Sequence, residues 1–392
     1  MAQDLVHGVA DDRFAAAREA FAANFAEGRE IGASVCATVG GETVIDLWGG
    51  WADAARTRPW RRDTIVNVFS TTKTMTALAA LLLADRGDLD LAAPVARYWP
   101  EFAAGGKDRV TVAQLLSHSA GLPGWREPFS QDDAVDWDKA TRLLAAQAPL
   151  WEPGTASGYH AYTHGFLIGE VIRRVTGRSP GTVFRQEIAE PLGADFWIGL
   201  PEGEDHRVAE LVQPPGPAPE AGAVEMAEIP SIAFRDTRPD GSRAWRVDVA
   251  QTRTRAWRGA EIPSVNGHGN ARSIARIHAV LANGGAAGGR RLLSEAGARR
   301  VLEPQIEGPD LVMRGIGVRF GLGFALAPCA LLPVTPPSPN TVFWGGGGGS
   351  LAVIDLDART SFAYAMNRMD RALMGEERSF RVLRAIWAAL AA

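Results

Sequence analysis

A chain of 392 residues is long for one compact core, so its length points to two domains or to one core carrying a large insertion. Hydrophobic residues make up 46% and charged residues 22%, the ordinary balance of a soluble globular protein. With 41 basic against 45 acidic residues spread along the chain, and a net charge of −4, there is no electrostatic footprint for nucleic acid or an anionic membrane.

The opening Met-Ala-Gln-Asp-Leu-Val-His lacks the basic start and apolar core of a secretory leader. Asp11 to Glu27 then reads as an amphipathic helix, with Phe14, Ala17, Phe21 and Phe25 on one side. The β-patterned runs Ala33–Val39 and Thr43–Trp48 flank Gly40-Gly41-Glu42, a hairpin signal. A short strand-like run, Ile65 to Phe69, leads into Ser70, and Thr71 to Arg86 is helical until Gly87 stops it. That helix holds the longest apolar stretch, Leu78 to Ala84, far short of a membrane span. From Leu89 to Gly193 the signals are helical or loop-like, including Val112–Ser117, Trp137–Gln147, Thr163–Thr176 and Thr182–Glu190. The stretch from Pro201 to Pro263 is rich in proline, glycine and charge and reads as a long irregular excursion. Regularity returns with a helix over Ala271–Asn283 and strand-like runs at Val318–Leu326, Thr341–Trp344, Leu351–Leu356 and Ser361–Met366. Glu377–Ala391 is a final helix.

β-rich ends around a helical middle predict an α+β fold: one antiparallel sheet built from both termini and flanked by helices, plus a mainly helical second domain. The expected boundaries are 1–88 with 265–392 for the sheet domain and 89–264 for the helical one, with a site in the cleft between them. Cys36 and Cys329 stand far apart, without zinc-ligand spacing or a disulfide framework, and are expected as free thiols in a cytoplasmic protein.

The sharpest chemical signal is Ser70-Thr71-Thr72-Lys73. A serine hydroxyl needs a base to act as nucleophile, and residues three apart share a helix face. Lysine can be that base where its charged form is disfavoured, whereas arginine stays protonated. Only Lys73, Lys107 and Lys139 break the chain's use of arginine for its cations, which gives a lysine beside a serine extra weight. The plain alternative is a capping serine followed by a solvent-facing lysine.

In this setting the tetrapeptide resembles the penicillin-recognising serine hydrolases, the superfamily of class C β-lactamases and D-alanyl-D-alanine peptidases, and most of all the family VIII carboxylesterases. The resemblance spans nearly the whole chain. It includes Leu115-Leu116-Ser117-His118-Ser119-Ala120-Gly121-Leu122, Glu152-Pro153-Gly154 before Tyr159, Asn266-Gly267-His268-Gly269-Asn270, Gly345–Ser350, and the closing Asn367-Arg368-Met369. It implies a β-lactamase/transpeptidase-like fold, no cofactor and no metal, and a small ester as substrate. It also implies that Tyr159 shares proton transfer with Lys73, and that the N–H groups of Ser70 and Gly347 form an oxyanion hole. Tyr159-His160-Ala161 departs from the Tyr-x-Asn of class C β-lactamases. His160 and His164 are expected to orient or pack rather than act as base. Trp344-Gly345-Gly346 stands where β-lactamases carry Lys-Thr-Gly, and loss of that cation favours neutral esters while leaving weak β-lactam turnover open. Trp344, Gly345 and Gly346, with Trp125 and Tyr162, are the expected substrate-lining residues.

Other readings remain at this stage. Five consecutive glycines could cradle a phosphate, but Ser350–Ile354 reads as strand, not helix. Ser119 and Ser350 approach a nucleophile elbow but lack its glycines. A β-lactamase or D-alanyl peptidase, an acyltransferase, and a binding module without catalysis are the rivals to a short-chain carboxylesterase.

Overall fold

The hairpin forms where the glycines place it, in a computed structural model that describes residues 5–213, 232–233, 236–237, 243–244, 249–371 and 375–392. Gly32–Val39 pairs antiparallel with Glu42–Gly50, and the two residues between take φ +60 and +93. Two successive positive φ values match the right-handed twist of the strands, and glycine adopts them without strain. Val6–Ala10 pairs along the outer side of this hairpin and Thr360–Met366 along its inner side. The sheet continues through Leu351–Asp355, Thr341–Gly345, Ala325–Leu326, Gly317–Phe320 and Ile306–Pro309, nine antiparallel strands in all. Both ends of the chain thus meet inside one sheet, as expected.

Alternation along the central strands divides the core. Phe362, Tyr364 and Met366 face the layer that holds Phe14, Phe21, Phe25, Leu383 and Trp387, from helices Ala15–Ala26 and Glu377–Ala391 and the turn before the first of them. Ala363 and Ala365 face the other way, where their small size lets helix Ala271–Ala282 approach with Ile274 and Ile277. On that side lies helix Thr72–Asp85, which is apolar nearly all round and must therefore be covered on every face. Helices Thr163–Thr176, Pro180–Phe184 and Glu295–Arg299 cover it.

The structure corrects several element boundaries. Val318–Leu326 is two strands, reversed at Gly321–Gly323 so that Phe320 pairs with Ala325. Ile65–Phe69 keeps only Val66–Asn67 as strand, and this pairs in a separate three-stranded sheet with His268–Gly269, which also pairs with Phe196–Trp197. Thr182–Glu190 is a short helix, Pro180–Phe184, followed by the π-helical turn Arg185–Ala189. Much of the 201–263 excursion lies outside the described residues, but its ends contain the 3₁₀ helix Glu202–Arg207 and the helix Arg255–Gly259. Val6–Ala10 and Ile306–Pro309, not expected, form the two edges of the main sheet.

Phe21 is fully buried and meets Phe25 and Tyr364 edge-on, at 5.3 and 6.0 Å between ring centroids. Phe21→Ala is expected to cost about 3–5 kcal/mol, read as a lowered urea midpoint at unchanged slope. A second prediction concerns acid. Of seven histidines, His118, His160, His164, His268 and His278 are buried. Burial disfavours the imidazolium and holds all five below the ordinary range, His160 and His268 at about 3 and His278 at about 4. Because the unfolded chain takes up these protons first, the stability they contribute is complete above about pH 6.5 and is lost as pH falls below it. Glu30, pushed up by burial to about 7, and Glu261 and Glu376, raised by the same cause, oppose this slope, three carboxyls against five imidazoles. Denaturation midpoints should therefore fall from pH 7.5 to pH 5, and a flat profile would contradict the neutral state of these rings.

Candidate active site

Ser70 sits in a 3₁₀ turn, Phe69–Thr71, just before helix Thr72–Asp85. Phe69 holds φ +43, a sparsely populated region for a residue with a side chain, so neighbouring structure must impose the kink. The two threonines of the tetrapeptide do so. Thr72 Oγ1 donates to Phe69 O at 2.5 Å and accepts from Gly267 N–H at 2.9 Å. Ser350 Oγ donates to Val68 O at 2.8 Å, which leaves Thr71 Oγ1 as the donor in its 2.9 Å bond to Ser350 Oγ. Ser350 is thus a clamp on the turn, in keeping with the structural role expected of it.

The i,i+3 spacing brings Lys73 Nζ to 3.1 Å from Ser70 Oγ. The same nitrogen lies 2.6 Å from Ala161 O and 3.0 Å from Ser264 O. Among the described residues no carboxylate offsets its charge, Lys73 is 1% exposed, and burial pushes its ammonium well below the usual lysine range. From the other side Tyr159 OH donates to Ser70 Oγ at 2.6 Å. Burial raises the Tyr159 phenol, which keeps it protonated at neutral pH. Ser70, Lys73 and Tyr159, expected together from the sequence, therefore converge on one oxygen.

The glycine strand passes directly against this turn. A Cβ on Gly346 would lie 2.1 Å from Val68 O and 2.4 Å from Ser350 Oγ, so only glycine permits the approach. Gly346 N–H bonds to Ser350 O, whereas the side-chain position of Gly347 is open and its N–H has no partner among the described residues. Gly345 closes the preceding strand opposite Leu351. Trp344 is 1% exposed, its rings 5.4 Å from Tyr159, 5.5 Å from Phe320 and 5.9 Å from His118.

The remaining expected residues are placed differently. Tyr162 starts helix Thr163–Thr176 and its carbonyl accepts from Ser264 Oγ at 2.6 Å, which helps fix the Ser264 carbonyl that faces Lys73. Trp125 stacks on Phe129 at 3.6 Å and donates to Ala140 O at 3.0 Å, so its ring packs the core of the helical region. His160 donates from Nδ1 to Gly158 O and accepts at Nε2 from Leu122 N–H, which fixes it as a neutral ring that shapes the loop. Among the described residues no cluster of three or more His, Cys, Asp or Glu side chains is arranged to hold a metal.

Three supports were given no role from the sequence. Asp310 Oδ1 accepts from the N–H groups of Tyr159, Val312 and Met313 at 3.1, 2.9 and 2.8 Å, fixing the Tyr159 backbone. The acceptors of Lys73 at Ala161 and Ser264 are main-chain carbonyls that any residue could supply. Asn266, found in a motif but given no role, donates to Trp257 O and Ala260 O and accepts from Ile262 N–H, which shapes the loop carrying Ser264.

The family described as Beta-lactamase matches residues 17–385. The chain is 37% identical over 370 residues to the Esterase/beta-lactamase LipL of Mycobacterium tuberculosis, covering 93% of this chain and 83% of that protein. It is 30% identical over 349 residues to the Esterase EstB of Burkholderia gladioli, covering 84% of each. The crystal structure of a family VIII carboxylesterase superposes with a TM-score of 0.89 at 44% identity, covering 98% of this chain and 99% of that one. A match that runs through almost the entire sequence, with this fold beneath it, places the chain in the beta-lactamase family.

Proposed function

We propose that this protein is a carboxylesterase that hydrolyses short-chain esters through an acyl-enzyme on Ser70. The observation that carries the reading is the convergence of Lys73 Nζ and Tyr159 OH on Ser70 Oγ, at 3.1 and 2.6 Å. A neutral amine has two N–H groups and one lone pair. With its N–H groups directed at Ala161 O and Ser264 O, the lone pair of Lys73 is left for the Ser70 proton. As Ser70 Oγ bonds to the ester carbon, its proton moves to Lys73 Nζ, and the carbonyl oxygen becomes an oxyanion facing the N–H groups of Ser70 and Gly347. Collapse expels the alcohol, which takes a proton from Tyr159, and the Lys73 ammonium restores that proton. Water then attacks the acyl carbon by the same route in reverse, leaving the acid and free Ser70.

The names of LipL, EstB and the family VIII neighbour support the ester, and Trp344 at the position of the β-lactamase lysine supports a neutral one. The name of LipL also favours a second, weaker activity on β-lactams. Losing a charge-assisted contact to a substrate carboxylate costs about 1.5–3 kcal/mol, so a chromogenic cephalosporin should turn over at least about tenfold more slowly than p-nitrophenyl butyrate. The opposite order would sink the ester reading.

Ser70→Ala is expected to lower kcat/KM by about 10⁴-fold or more and to abolish labelling by a fluorophosphonate probe. Lys73→Arg keeps a cation but supplies no base, and should lower kcat by about 10²–10⁴-fold. Tyr159→Phe should fall in the same range, about 10²-fold or more, for a poor leaving alcohol, and less for p-nitrophenol, which needs no proton to depart. Steady-state kinetics on the paired leaving groups checks this; an equal loss on both would remove Tyr159 from the proton path.

A further inference from the structure

The glycine turn that carries Gly347 is held from behind by a buried guanidinium. Arg378, in the first turn of the final helix, is 3% exposed. Its NH2 donates to Gly348 O at 3.2 Å, and NH1 donates to Arg368 O at 2.9 Å and Arg29 O at 3.2 Å. Glu376 bonds Nε and Glu30 lies 2.9 Å from NH1, so two acidic side chains enclose the fork along with the three carbonyls. Glu30 is itself held by Tyr364 OH at 2.7 Å, and Tyr364 OH accepts from Asn24 Nδ2 at 3.2 Å.

The connection to the site runs through two peptide planes. A trans peptide fixes its C=O and N–H on opposite sides. Arg378 NH2 and the Asp370 N–H both donate to Gly348 O, at 3.2 and 2.9 Å, so the Gly349 N–H of the same plane points away from them, and that N–H donates to Gly346 O at 3.1 Å. Gly346 O belongs to the plane whose other end is the Gly347 N–H, the one without a partner among the described residues. The dipoles lie head to tail, from cation to carbonyl, amide, carbonyl and amide. Such chains of hydrogen bonds polarise one another in a low-dielectric interior. Glycine is needed along this path: Gly348 takes φ +90 and Gly349 φ +126, and a Cβ on Gly349 would lie 3.2 Å from Arg378 NH2.

We propose that Arg378 is a positioning residue for the oxyanion hole, orienting and polarising the Gly347 N–H through the Gly348–Gly349 and Gly346–Gly347 peptide planes. The inference rests on the acyl-enzyme reading, since it needs an oxyanion at Gly347. It concerns the rate at each intact site, not the number of folded sites.

The test is kcat per Ser70 titrated with a fluorophosphonate, for wild type, Arg378→Gln, Arg378→Lys and, as control, Arg384→Gln on the exposed side of the same helix. Removing one oxyanion donor outright costs about 10²–10³-fold, and loosening one should cost about tenfold. Arg378→Gln is therefore expected to lose about tenfold in kcat per titrated site, with KM within about twofold and weaker inhibition by a boronic-acid transition-state analogue in step. Arg378→Lys should recover part of this, and Arg384→Gln should match wild type. A purely structural role would lower the titratable fraction and leave kcat per site unchanged, and that result overturns the proposal. Should Arg378→Gln yield no folded sites, Arg378→Lys decides alone, on the same per-site criterion. If wild type itself takes no label at Ser70, the acyl-enzyme reading fails and the inference falls with it.

Discussion

The site is organised around an amine with nowhere to place a charge. Lys73 Nζ is enclosed by two main-chain carbonyls and one serine hydroxyl, with no carboxylate beside it among the described residues. Removing an ammonium from water without a counter-ion is costly, and the protein relieves that cost by favouring the neutral form. Each nearby segment is shaped by this arrangement. The Asn266 hydrogen bonds bend residues 257–266 so that Ser264 O faces Nζ, Asp310 holds the Tyr159 backbone, and Thr71 and Thr72 fix the strained turn that aims Ser70. The burial that anchors the fold and the proton affinity that the proposed chemistry needs are the same physical fact.

The other two lysines separate burial from chemistry. Lys107 is fully buried and enclosed in the same manner, by Ala104 O at 2.6 Å, Ala145 O at 3.0 Å and Gln147 O, and burial lowers it to about 8. Lys139 pairs with Asp133 at 2.5 Å on a partly exposed surface. A single ammonium with three rotatable donors fits carbonyls that converge on one point, whereas the fork of Arg378 spreads its donors over carbonyls of three separate segments. The scarcity of lysine in the sequence thus marks carbonyl cages as much as catalysis. A serine three residues earlier is what distinguishes Lys73 from Lys107.

The parts of the site legible in the sequence are those where side-chain identity carries the function at short range. Ser70 and Lys73 are tied by helix spacing, and the glycine run by its need for close approach. Tyr159 is 89 residues from Ser70 and emerges only through its rarity and the family resemblance. The carbonyls of Ala161 and Ser264 have no residue signature at all, because every residue carries one, and only the fold decides which oxygen points inward. The same limit applies to the sheet. Its central strands are continuous apolar runs and stand out, while the edge strand Val6–Ala10 is half exposed, carries Gly8 and is defined by its pairing with Glu42–Gly50. Gly321 and Gly323 read as interruptions within one strand because nothing local shows that the chain reverses between them.

The aromatic layer over Lys73 bears on the choice of substrate. Tyr159, Trp344, Phe320 and His118 pack against one another within 5.9 Å between centroids, and the histidines behind them are neutral. His160 cannot gain a proton at Nε2 without giving up its bond from Leu122 N–H. The depressed lysine therefore owes its state to dryness alone. An apolar acyl group bound to Ser70 would deepen that dryness and keep the amine neutral. A carboxylate brought to the same place would favour the ammonium and weaken the proposed base. On the acyl-enzyme reading, the dryness that makes Lys73 a base is thus also what sets neutral acyl groups apart from anionic ones.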